Sequence, residues 1–134
     1  MIRRLLKRSK PAPRWNLLDG CKDLTTATRR ARGLLSLAAA KARPTTADEF
    51  WTYKAETVLA GLLFAAAHYC GGTLTDIRAW LLTGETQLAE MELRTRGHQA
   101  VASEVAAMGG STRSAATLRM VTLAALLSAE GDAR

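Results

Sequence analysis

The chain has 134 residues, 48% of them apolar, and a formal net charge of +7. That is one domain's worth of chain, able to bury roughly two-thirds of its unfolded surface and to fold without staples. Cys21 and Cys70 lie far apart with no CxxC or Cys/His spacing, which reads as reduced thiols rather than a disulfide framework. No apolar run reaches the ~18 residues of a membrane span, and the basic start lacks the apolar segment of a secretory signal. A cytoplasmic location is expected.

Residues 1–14 hold Arg3, Arg4, Lys7, Arg8, Lys10 and Arg14 and no acid. The remaining residues balance thirteen basic side chains against twelve acidic ones, so the basicity resides in this tail. Its readings are a flexible solvated arm, phosphate attraction on nucleic acid, or attachment to an anionic lipid surface at the inner face of the membrane. Ile2, Leu5 and Leu6 give it the small apolar side that the lipid reading needs. Pro11 and Pro13 end the tail. Residues 15–20 follow as a short extended or turn segment with no second strand candidate to pair with.

A helix starting at Asp23 or Thr25 and running to about residue 42 would bury Ala27, Ala31, Leu34, Leu35 and Ala38. Arg29, Arg30 and Arg32 would then point mostly outward, and Pro44 closes the helix. Thr46 with Glu49 fits a capping box for the next helix. Trp51, Ala55, Val58, Leu59, Leu62, Ala66 and Tyr69 make one apolar face, and the opposite face (Ala60, Gly61, Phe64, Ala65) is also poor in charge. This helix therefore expects neighbours on more than one side.

Gly71 and Gly72 break the core helix, and Thr73 caps a short helix with Asp76 in its first turn and Ile77, Trp80 and Leu81 inward. After Gly84, a helix over about 85–96 is expected to bury Leu88, Met91 and Leu93, ending at Gly97. A helix over 98–108 uses Val101, Val105 and Met108. Gly109 and Gly110 form a hinge, and Ser111 caps a last helix to about residue 129 that buries Ala115, Leu118, Val121, Thr122, Ala125 and Leu126. The expected architecture is all-α: a compact bundle of five or six helices over residues 15–130, with an extended basic arm before it and a frayed end over 131–134.

Chemistry is sparse. No phosphate-binding loop of the G-x-x-x-x-G-K-[ST] kind occurs, and both glycine–glycine–cap runs are better explained as helix junctions. His68 and His98 have no second ligand at metal spacing, and Cys70 has no third partner beside His68. Glu90 with Arg94 and Glu92 with Arg96 are surface pairs four residues apart rather than acid–base dyads. Trp51 and Trp80 read as core anchors before they read as base-stacking platforms beside Lys54 and Arg78. A DNA-reading helix–turn–helix over 73–91 would present Glu85, Glu90 and Glu92 to phosphates, which disfavours it. No catalytic residue, metal ligand or cofactor is expected.

The pattern Trp15-Asn16-x-Leu18-x-Gly20-Cys21-x-Asp23, followed by Ala27, Arg29, Arg30 and Ala31, resembles actinobacterial conjugative coupling ATPases of the TraG/TraD type. The likeness continues through Asp48-x-Phe50-Trp51, the Leu59-x-x-Leu62-Leu63-x-Ala65-Ala66-Ala67 run, Gly72-Thr73-Leu74-x-Asp76 and Trp80-Leu81. In that family this stretch is similar to the all-α domain inserted into the RecA-like motor. The family's nucleotide-binding loop and metal-binding carboxylate have no counterpart here, so the resemblance does not imply ATP hydrolysis. It implies recognition, docking DNA or a relaxosome protein at the entrance of a motor, with a separate coupling-ATPase subunit as a further partner.

On this reading Arg29, Arg30 and Arg32, with the tail cations, are the candidate contacts to phosphates or to an acidic partner. Two alternatives stand beside it. One is a protein-interaction or oligomerisation module without nucleic-acid binding, and the other a truncated remnant of a coupling ATPase.

Overall fold

Six α-helices run through the residues that the computed structural model describes, which are 18, 20–41, 48–69 and 73–132. They are α1 (Leu24–Lys41), α2 (Asp48–His68), α3 (Leu74–Thr83), α4 (Gln87–Thr95), α5 (Gln99–Met108) and α6 (Arg113–Asp132), with no strand among the described residues. The all-α expectation holds. The basic tail, most of the 15–19 segment, Thr46, Cys70, the Gly71–Gly72 break and the side chain of Trp51 lie outside the described residues.

Helix α2 takes the centre because its sequence is apolar on every side. Ala55 and the whole run from 58 to 66 are buried, and α2 packs against each of the other five helices. A helix without a polar stripe can only be stable when surrounded. Around it, α1 packs on α6 as well as on α2, and α4 packs on α5. Among the described residues no helix is long and apolar enough to cross a membrane.

Local chemistry sets the helix ends. At α1 the Asp23 carboxylate accepts from the Thr26 backbone N–H and from Thr26 Oγ1, both at 3.1 Å, which satisfies an amide that the first turn leaves open. At α3 the capping box is reciprocal: Thr73 Oγ1 accepts from the Asp76 N–H at 3.4 Å, and the Asp76 carboxylate accepts from the Thr73 N–H at 2.8 Å. Gly84 ends α3 in the left-handed region, with φ +78° and its N–H donated to the Trp80 carbonyl. Replacing Thr73 with alanine is expected to cost about 1 kcal/mol, read as a lowered urea midpoint at unchanged slope. A midpoint unmoved by that change would mean the box adds nothing.

The expected inward face of α3 is observed, with Ile77, Trp80 and Leu81 buried. That of α4 is not. Leu88 and Met91 are exposed, at 42% and 59%, while Ala89 and Leu93 are buried. The helix begins at Gln87 rather than Glu85, whose N–H is instead held by Thr83 Oγ1 at 3.1 Å in the turn. Buried Thr86 then donates its hydroxyl to Glu90 at 2.7 Å. Thr86, Ala89, Glu90 and Leu93 share one face, so the two larger apolar side chains are rotated outward.

Two boundaries also shift. The side chain that caps α6 is Thr112, not Ser111, its Oγ1 accepting from the Ala115 N–H at 3.1 Å. Helix α6 continues through Asp132, past the expected end near residue 129.

Candidate nucleic-acid interface

Helix α1 carries the three arginines singled out from sequence, and the bundle separates them. Arg29 is exposed and Arg30 half-buried. Together with Thr26, Gly33, Leu34 and Leu37 they line a groove of about 460 Å³ along the back of α1. These six positions follow the i, i+3, i+4, i+7 spacing of one helix face, which is why the groove runs along the helix axis. Nothing lies within 4 Å of where a side chain on Gly33 would begin. Its leucine floor and arginine wall suit a ligand that brings both apolar surface and negative charge.

Arg32 faces elsewhere. Its Nη2 donates to Glu56 Oε2 on α2 at 2.8 Å. That hydrogen bond, and then the carboxylate's charge, raise the pKa of the Arg32 guanidinium above its already high ordinary value. Arg32 therefore ties α1 to α2, and of the three arginines Arg29 and Arg30 line the groove. Lys54, a neighbour of Trp51 in sequence, pairs instead with Glu104 on α5 at 3.4 Å. Trp80 is buried and meets Tyr69 edge-on at 6.4 Å between ring centroids, as a core anchor does. The pairs Glu90–Arg94 and Glu92–Arg96 form as expected, at 3.4 and 3.3 Å.

A second cavity, of about 490 Å³, is one that sequence reading missed. It is built around Phe64 and opens between Lys22, Thr25, Thr28, His68, Arg96 and His98. The His68 ring lies 4.5 Å from Phe64 and the His98 ring 4.9 Å, the latter edge-on at 87°. His68 Nε2 sits 2.9 Å from the Lys22 carbonyl oxygen, and since that oxygen can only accept, the imidazole donates. Only the i, i+4 placement of Phe64 and His68 could have signalled this cluster. Lys22, Arg96 and His98 reach it from distant parts of the chain.

Among the described residues no group of three or more His, Cys, Asp or Glu side chains is placed to hold a metal ion. No family model matches this chain, and neither a curated protein nor a solved structure matches it.

Proposed function

We propose that this chain is a non-catalytic recognition module of the kind that the all-α domain of conjugative coupling ATPases represents, engaging DNA or an acidic relaxosome protein. The observation that carries the reading is the groove on α1, which Arg29 and Arg30 line together with Leu34 and Leu37. Arginine forks bind phosphate and carboxylate in two-pronged geometry, and an apolar floor accepts the sugar or side chain between two such groups. The basic tail, Arg3, Arg4, Lys7, Arg8, Lys10 and Arg14, adds long-range attraction for the same polyanion. The module works in the cytoplasm, where the tail can also rest on anionic lipid at the inner membrane face, with a coupling-ATPase motor as its partner subunit.

Fluorescence anisotropy with labelled DNA across a salt series tests the reading. Binding is expected to weaken with a log–log slope of about −0.7 per phosphate on a single strand and −0.9 on a duplex. Reversing both groove charges (Arg29→Glu with Arg30→Glu) is expected to lower affinity about tenfold. Binding that ignores salt, or the charge reversal, would sink the DNA reading.

One observation favours a second reading as a protein-interaction module. Met120, Ala124 and Leu127 follow i, i+4, i+7 spacing on α6 and are all exposed. Self-assembly on a sizing column without DNA would support it.

A further inference from the structure

The cavity around Phe64 joins two features that one polar ligand rarely needs together. Its floor is aromatic, with the His68 and His98 rings standing against Phe64 at 4.5 and 4.9 Å, and both imidazoles are only half-buried. Its rim carries two exposed cations, Lys22 and Arg96, the latter in a surface pair with Glu92 at 3.3 Å that a phosphate can displace. The one acid among its lining residues, Asp23, is occupied by the helix cap it makes to Thr26. A flat ring that stacks, carrying a negative group at its edge, matches this arrangement.

We infer that the cavity takes one unstacked base of a single-stranded nucleic acid, with the base against His68 and His98 and its phosphate between Lys22 and Arg96. This rests on the nucleic-acid reading above and deepens it by naming the strand form. A volume of about 490 Å³ falls within the usual ~300–1,000 Å³ of small-ligand pockets and suits one nucleotide. A base inside a duplex is stacked and cannot enter without being extruded, which costs free energy that a single strand does not lose. Aromatic and imidazole faces stack on any base, so the site discriminates strand form rather than sequence.

The two cavities share α1. Thr25 and Thr28 line the one, and Thr26, Arg29 and Arg30 line the other, within the first two turns of the helix. A strand leaving the base site therefore meets the arginine groove on crossing α1. This continuity argues for a strand rather than a free nucleotide, although the two share the same ring-and-phosphate chemistry.

The test compares a short labelled oligothymidylate, a duplex of equal length and thymidine monophosphate, each titrated against the full chain. The wild type is expected to bind the single strand at least about tenfold more tightly than the duplex. His98→Ala is expected to weaken strand binding about tenfold and duplex binding by less than about twofold, with His98→Phe restoring the loss because it keeps a stacking ring. His98 caps α5 without using its side chain, so thermal melting should report a folded variant. Lys22→Gln with Arg96→Gln should lower the salt slope on the strand by about 0.7, one phosphate's share.

Strand binding untouched by His98→Ala, yet lost on reversing Arg29 and Arg30, overturns the base site and leaves the groove reading standing. Failure of every form to bind overturns both. Thymidine monophosphate saturating at the same concentration as the strand overturns the strand assignment in favour of a free nucleotide.

Discussion

Gly61→Leu is expected to destabilise the protein by about 3 kcal/mol or more. Gly61 is buried in the middle of α2, where the helix backbone approaches α4 and α5. A first side-chain carbon there would lie 2.8 Å from Val101 Cγ1, 3.0 Å from Val105 Cγ2 and 3.3 Å from Leu93 Cδ1. Valine is stiff at χ1, so neither valine can swing aside without leaving its rotamer. Gly61→Ala separates two opposed terms. Overpacking costs about 1–3 kcal/mol, while replacing a mid-helix glycine gains about 1. A net loss of about 1 kcal/mol is expected, and Val101→Ala in the same chain should recover most of it. Urea denaturation followed by circular dichroism reads both, and a Gly61→Leu protein that melts like the wild type would refute the close approach.

Arg119→Met is expected to cost about 2 kcal/mol. Arg119 Nη1 donates to the Met108 carbonyl at 2.8 Å and to the Gly110 carbonyl at 2.7 Å, closing the end of α5 from a half-buried position on α6. Hydrogen bonds from a charged donor are worth about 1.5–3 kcal/mol each, and the cation also faces the negative end of the α5 dipole. The loss is offset in part because water can reach Gly110, which is exposed.

The same spot joins a third segment. A carbon added at Gly109 would meet Thr86 Oγ1 at 3.0 Å and the Gly84 carbonyl at 3.1 Å, so the α3–α4 and α5–α6 junctions touch beside Arg119. Hydrogen exchange should therefore speed up at amides 83–86 and 108–112 together in Arg119→Met. Exchange confined to the second segment would mean that Arg119 does not couple them.

What could be read from sequence depended on the range over which each feature acts. The Thr73 cap with Asp76 in the first turn was legible because both residues lie within one turn, and the structure adds that they close a reciprocal box. So was the central role of α2, since a helix greasy on all sides admits only one kind of place. The face of α4 was misjudged because side-chain size favoured Leu88 and Met91, whereas the approach to Gly61 selects the face carrying Ala89 and Leu93. That constraint comes from a residue about thirty positions away.

The candidate site divides in the same way. Arg29 and Arg30 could be chosen by outward spacing on α1, but the diversion of Arg32 to Glu56 depends on how α1 meets α2. The meeting of Lys22, Phe64, Arg96 and His98 in one cavity arises only from the tertiary arrangement. No periodicity along the chain records it.

The position of α2, in contact with all five neighbours, decides where this chain can be divided. A break inside residues 48–68 would take the shared partner from every other helix at once, and neither piece would keep a closed interior. A break in the 109–112 junction leaves α2 whole within the first piece, with α1, α2, α3 and α5 framing the trough into which the detached last helix, α6, can return. Cooperative melting and tolerance of a nick are thus expected from one origin: a single segment around which all the others are wrapped.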